Sequence, residues 1–279
     1  MDRLAFNAAA AITEMRVGRQ MTTNELANVA TPGFKRSFES AMLTLKVQGA
    51  GFESRLQPQA FSSDNINMKP GVIMKTGRNL DVAMDDQAVM GITAPNGELA
   101  FTRRGDLKLN GTGVMETGNG AMVRGQNGGP ITIPPGFLID IAKDGSVYAT
   151  NPGQADAAPP VLIDRIMMRD ASQVNLERRE DSFYRIVGKP NEDIPITGKL
   201  TTLSPQTLEG SNVNAMEVMV KLMDQSRTFE MQVNVIKQSK DVDESRLVNV
   251  FTLFDHIHLH LKCSALVHQL HHDFHGIDV

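Results

Sequence analysis

The residues best equipped for chemistry are crowded into the last stretch of this chain. All seven histidines and the sole cysteine, Cys263, fall within His256–His275. His268, His272 and His275 are spaced i, i+4, i+7, which on a helix puts three imidazoles on one side with His271 beside them. Such spacing holds zinc when a second shell orients the ligands. Here only Asp273 stands near and no rigid scaffold is in view, so no metal site is assigned. Elsewhere chemistry is scarce. Gly188-Lys189 runs into Pro190 and Gly198-Lys199 into Leu200, so neither forms a phosphate-cradling loop. HExxH and GxSxG are absent, and no GxGxxG opens a helix after a strand. Asp85-Asp86 sits in a turn context, where a solvated pair is the plain reading. Lacking histidine before residue 256, the rest of the chain is without the commonest general base. No catalytic residue and no cofactor site emerge, and the chain reads as a non-enzyme.

The most specific short segment is Asn24-Glu25-Leu26-Ala27-Asn28-Val29-Ala30-Thr31-Pro32-Gly33-Phe34-Lys35. Asn24 and Asn28 are four apart, so both amides leave one face of a helix near its end. Buried in an interface, such amides fix register as apolar contact cannot. In solvent they are two ordinary asparagines before a helix stop.

These residues must be positioned by helices at the two ends of the chain. All thirteen prolines lie between Pro32 and Pro205, and from Ser211 to His275 there is neither glycine nor proline. Proline breaks a helix interior and glycine weakens it, so the chain is built as helix, turn-rich body, helix. Residues 3 to 30 carry a thin, alanine-rich stripe with Leu4, Ala8, Ala11, Ile12, Met15, Leu26 and Val29, which Thr31-Pro32-Gly33 ends. Thr22 with Glu25 could restart this helix midway as a capping box. The last helix starts at Ser211-Asn212-Val213-Asn214, with Asn214 as cap and Glu217 three residues on. Its seam alternates three and four through Ala215, Met219, Leu222, Ser226, Phe229, Val233 and Ile236. Thin seams do not stabilise lone helices in water. Between the ends, short apolar runs such as Leu80–Met84, Leu99–Thr102, Ile131–Pro134 and Leu138–Ile141 alternate with turns. Asn96-Gly97, Asn110-Gly111, Asn127-Gly128 and Asp144-Gly145 supply the turn chemistry, which suggests an all-β body.

Composition narrows the functions. With 279 residues, a net charge of −4 and pI near 6.0, the chain has no broad attraction for nucleic acid. Lys35-Arg36 and Arg103-Arg104 are isolated basic pairs that read as solvated surface. One cysteine excludes an internal disulfide. No run approaches the roughly 20 apolar residues of a membrane span, and Asp2 and Asn7 spoil a signal-peptide reading of the start. Sixteen methionines point to adaptable interfaces more than to a tight core.

The Asn24–Lys35 segment resembles the N-terminal signature of the axial proteins of the bacterial flagellum, the rod and hook family, with Glu25 departing from its second asparagine. The resemblance continues in order over residues 1–247. Lys75–Ala83 looks like the family's TGxxLDVA strand, Phe101–Gly105 its TRxG turn and Gly129–Pro134 its PITIP strand. Leu208–Asn214 is similar to the start of its last helix, and Arg227–Gln232 to that helix's RxFEMQ core. The wording is most like proximal-rod members, with a distal-rod or hook-family subunit as the alternative. After Ala83 the family's turn glycines and aromatic are replaced by Met84-Asp85-Asp86-Gln87-Ala88-Val89, which predicts a distorted hairpin. Residues after about 248 match nothing in the family and read as a frameshift or cloning remnant.

The resulting expectation is an α+β protein in which long N- and C-terminal helices form a coiled-coil-like stem, with a central all-β domain. Its segments are 1–36 (helix and motif), 37–70 (linking loops), 71–207 (β domain), 208–250 (C-terminal helix) and 251–279 (His-rich tail). The resemblance implies a structural subunit of the basal-body rod, part of the motor drive shaft, assembling with copies of itself and other rod proteins. It implies passage through the flagellar type III export apparatus without a cleaved signal peptide, and neither nucleic acid nor small-molecule substrate as partner. The assembly interface is expected at Ile12, Met15, Asn24, Leu26, Ala27, Asn28, Val29, Thr31, Pro32, Gly33, Phe34, Asn212, Asn214, Met219, Leu222, Phe229, Val233 and Ile236. A β-rich carbohydrate-processing enzyme and, after it, a monomeric adhesin or binding module are the readings from other classes.

Overall fold

The computed structural model describes residues 2–37, 41–46, 56–61, 65–153, 159–189, 191–196 and 198–274; side chains are described within 4–37, 65–153, 159–189, 191–196 and 198–245. Helices α1 (Asp2–Ala27) and α2 (Ala215–Phe274) flank the strands, as the placement of proline and glycine requires. In chain order the strands are β1 (Ala41–Lys46), β2 (Leu56–Phe61), β3 (Ile73–Lys75), β4 (Val82–Met84), β5 (Ala88–Thr93) and β6 (Leu99–Thr102). Then come β7 (Leu107–Leu109), β8 (Met115–Thr117), β9 (Met122–Val123), β10 (Leu138–Ile141), β11 (Ser146–Thr150) and β12 (Val161–Arg165). The last are β13 (Met168–Asp170), β14 (Leu176–Arg178), β15 (Tyr184–Ile186), β16 (Leu203–Pro205) and β17 (Thr207–Glu209). The protein is α+β, two helices with a central β region.

Two compact units make up the chain. One comprises Gly18–Ala41 with Ala60–Met223, and the other Met1–Val17, Met42–Gln59 and Asp224–Val279. The first, the body, holds an eight-stranded sheet in the order β14-β15-β6-β5-β9-β8-β7, with β13 also paired to β5. A three-stranded sheet β10-β11-β12 and the pairs β4-β16 and β3-β17 complete it. Strand β5 is central because both its faces are covered. Met90 and Ile92 enter a large core with Leu107, Met115, Val123, Ile133 and Val147. Val89, from the opposite face, joins Phe101, Met167, Leu176 and Tyr184 in a second cluster. Near-continuous burial replaces strict alternation when a strand is covered on both sides.

Several sequence expectations are refined here. The methionines divide: Met84, Met90, Met115, Met167 and Met168 are buried in the body, whereas Met216, Met219, Met223 and Met231 are exposed on α2. The unbranched thioether fills core gaps between short strands as readily as it coats an interface. The turn after Asn110 uses Gly113 (φ +81°), not Gly111, as its left-handed residue, while the Asn110 side chain accepts from Thr112 and Val114 amides. No capping box interrupts α1, because the Thr22 hydroxyl bonds back to the Gly18 carbonyl at 2.9 Å. At Asp85-Asp86 the missing glycine is replaced by a left-handed Asp86 (φ +45°), a conformation aspartate tolerates better than most residues. Ala88 N still closes the turn on the Asp85 carbonyl, and the Asp85 carboxylate accepts from Thr202 and Ser204. Strand β4 pairs with β16 and β5 with β6, β9 and β13, so the two flank a turn without forming their own ladder.

Strand β4 crosses the approach to β7 so closely that a Cβ on Gly105 would stand 1.7 Å from the Val82 carbonyl oxygen, a backbone atom that cannot swing aside. Gly105→Ala is expected to destabilise the body by about 3 kcal/mol through overpacking, read by chemical denaturation of the full chain.

Candidate functional site

The family motif sits where α1 leaves the helix and enters the body. Helix α1 ends at Ala27, turns over residues 28–33 follow, and Gly33 takes a left-handed conformation (φ +68°). A Cβ there would lie 2.2 Å from the Arg103 carbonyl oxygen, so backbone approach as well as φ demands glycine. Gly33 N donates to the Glu209 carbonyl at 2.7 Å, and the buried Tyr184 hydroxyl donates to the Gly33 carbonyl at 3.2 Å. Phe34 then packs into a small core with Val213 and Val218, against which Leu26, Val29 and Leu222 also rest. The Arg178 guanidinium lies 4.3 Å from the centre of the Phe34 ring and also donates to the Lys35 carbonyl. Asn212 fixes the start of α2 to the same segment. Its Oδ1 accepts from Arg36 N at 2.7 Å and its Nδ2 donates to the Asn67 carbonyl at 2.8 Å. Asn214 caps α2 through the Met216 and Glu217 amides, and Arg36 pairs with Glu217 at 3.1 Å.

At the centre is one carboxylate held by two buried cations. Glu209 Oε1 accepts from Lys35 Nζ at 2.6 Å and from Gly71 N at 2.9 Å, and Oε2 accepts from Arg103 Nε at 2.7 Å. Side-chain exposure is 0% for Lys35 and Glu209 and 1% for Arg103. Arg103 spends its other donors on the carbonyls of Met84, Asp86 and Ala88, and Lys35 its second bond on Lys69 O. Burial pushes the Glu209 carboxyl up, but the charges and hydrogen bonds of Arg103 and Lys35 outweigh it and hold the group below its ordinary 4.5. Lys35 fares differently. Burial and the neighbouring Arg103 lower its ammonium to about 8, against the opposing pull of Glu209. Burial raises the Tyr184 hydroxyl to about 12.

Sequence reading therefore misplaced Lys35 and Arg103 as solvated surface. Both are wholly buried, because a single glutamate far along the chain meets them, and composition carries no trace of such a pairing. Of the residues expected at an interface, the structure gathers Leu26, Val29, Gly33, Phe34, Leu222 and Asn212 around this joint. Asn24 and Asn28 are tied to each other, Nδ2 of Asn28 to Asn24 O at 2.9 Å, with Thr31 Oγ1 donating to Asn28 Oδ1 at 3.2 Å. Pro32 is half-buried, Ala27 exposed, and Ile12 and Met15 half-buried on α1. On α2 Ile236 is half-buried and Met219, Phe229 and Val233 are exposed; among its described side chains the buried positions are Val218 and Ser239. His268, His271 and His272 lie on α2 beyond the described side chains, and His275 outside the described residues.

Removing Glu209 leaves two cations in a dry site, so Glu209→Gln is expected to cost about 3–5 kcal/mol of stability. Lys35→Met should cost less, since that ammonium is already disfavoured by burial and by Arg103. The pH dependence has a definite sign. From about 8 to its ordinary 10.5, Lys35 is neutral in the folded chain and protonated in the unfolded one, so its contribution makes stability rise with pH. Tyr184 acts in the opposite sense, but only above its ordinary 10.0. Urea unfolding between pH 8 and 10 should show this rise in the natural chain and its loss in Lys35→Met.

Comparison with known proteins agrees with this layout. Residues 204–250, which contain β17 and the start of α2, match the family described as flagellar basal body rod FlgEFG protein C-terminal. Residues 85–149 match the flagellar hook protein FlgE/F/G D1 domain. The chain is 32% identical to the flagellar basal-body rod protein FlgF of Salmonella typhimurium, over 88% of this chain and 97% of that one. It is 32% identical to the Escherichia coli protein of the same name, over 86% and 95%. To the flagellar basal-body rod protein FlgG of Bacillus subtilis it is 26% identical, over 90% and 99%. The chain belongs to the FlgF-type flagellar basal-body rod proteins, structural subunits of the rod.

Proposed function

We propose that this rod subunit assembles through its terminal helices, which pack with copies of itself and with other rod proteins as a coiled-coil-like stem, while the body stands on the joint around Glu209. The observation that carries this reading is the poverty of the helical unit's own core. Among its described side chains only Ala8 and Ser239 are buried, and both are small. Leu4, Phe6 and Val17 of α1 and Phe229, Met231 and Val233 of α2 remain exposed in that unit. At the start of α2, in the body unit, Met216 (71% exposed), Met219, Val220 and Met223 form an uncovered apolar strip at i, i+3, i+4, i+7. Exposed apolar surface of this kind marks an interaction site, and helices draw most of their stability from packing.

The remaining interface residues expected from the sequence, Ile12, Met15, Asn24, Ala27, Asn28, Thr31, Pro32, Asn214 and Ile236, belong to the same proposed interface. A proximal position in the rod, and delivery through the flagellar export apparatus, complete the proposal. Neither nucleic acid nor a small-molecule substrate has a part in it.

Phe229→Asp places a charge on the exposed apolar surface of α2 without touching the body. Rod incorporation should fall at least tenfold in cells, while circular dichroism of the purified variant keeps the strand signal. Normal incorporation of Phe229→Asp would refute assembly through α2.

A further inference from the structure

We propose that Lys35, Arg103 and Glu209 form a closure latch: until β17 brings Glu209 into place, the two cations hold the root of α1 and the β body open, and the joint locks only when the body's last strand docks. The three residues come from widely separated parts of the chain, with Glu209 lying 174 residues after Lys35 and 106 after Arg103. Before Glu209 arrives, Lys35 has only the Lys69 carbonyl and Arg103 only the carbonyls of Met84, Asp86 and Ala88. Carbonyl dipoles do not cancel a net charge, and two like charges in a dry site repel each other and draw in water.

The same strand closes everything else around them. The Glu209 carbonyl takes Gly33 N, its carboxylate takes Gly71 N, and Gly210 N donates to Val72 O at 2.8 Å. Two residues on, Asn212 ties Arg36, Asn67 and Lys69 together, and Asn214 starts α2. The backbone is packed to match: a Cβ on Gly71 would stand 2.1 Å from the Gly210 carbonyl oxygen, so this crossing forms only when both segments are in register. Docking of β17 thus neutralises the cations, seats the motif after α1 and sets the first turn of α2 in one event. Because β17 is the last strand of the body to emerge from any chain made or delivered N-terminus first, an incomplete chain cannot lock its N-terminal helix root.

The test is hydrogen exchange by mass spectrometry on three full-length proteins: the natural chain, Glu209→Gln, and Lys35→Met combined with Glu209→Gln. In Glu209→Gln, peptides covering 31–37, 69–76 and 203–213 should exchange at least tenfold faster than in the natural chain. Removing one of the two cations in the double variant should restore at least half of the lost protection on a logarithmic scale. Natural exchange rates in Glu209→Gln would overturn the latch. A double variant as open as the single one would overturn it too, since packing and not charge would then hold the joint. If Glu209→Gln does not fold, folding of the double variant supports the latch and failure of both refutes it.

Discussion

A buried carboxylate shared by two buried cations governs how this chain is put together. Taking three charges out of water is unfavourable unless each finds close partners. Glu209 makes the arrangement tolerable by serving Arg103, Lys35 and a backbone amide at once. The sharing is unequal. Arg103 also donates to three carbonyls around its fork, whereas Lys35 sits at the second oxygen, where burial and Arg103 lower its ammonium. Such a site adds little net stability over an apolar core, but it accepts only one arrangement of three distant segments. Fixing both helix roots to the body at one point suits a subunit that bears load in a rod.

How much of this was legible in the sequence depends on the range of the interaction. Helix extents follow from proline and glycine, which act locally. The cap at Asn214 and the left-handed glycines after Asn96, Asn127 and Asp144 are local chemistry too, and the structure has them, whereas α1 ends at Ala27, short of the expected stop at Thr31-Pro32-Gly33. The turn after Asn110 differs because the asparagine side chain caps two amides and moves the left-handed residue on to Gly113. The latch was invisible for the opposite reason. Nothing near Lys35 or Arg103 in sequence announces that a glutamate will reach them, and isolated basic residues are solvated in most proteins. The motif around Lys35 flagged the right segment, but not that the chain's own β17 would be one of its partners.

The α2 seam shows the limit of periodicity. An alternation of three and four from Ala215 collects Met219, Leu222, Phe229 and Val233 in one seam and passes over Val218. Only the joint decides which positions are covered. With Phe34 and Val213 fixed by the latch, Val218 and Leu222 face the small core and the Met219 row is left outward. The seam expected from the sequence is therefore split: Leu222 rests against the small core, while Met219, Phe229 and Val233 stay exposed.

The body and its joint are self-sufficient in this account, and the helical unit is not. Amide exchange along the isolated natural protein measures that contrast directly. The account predicts slow exchange at 88–93, 99–105 and 203–213 together with fast exchange at 4–17 and 224–245. Equal protection of those helical stretches and the body in dilute, monomeric protein would contradict it.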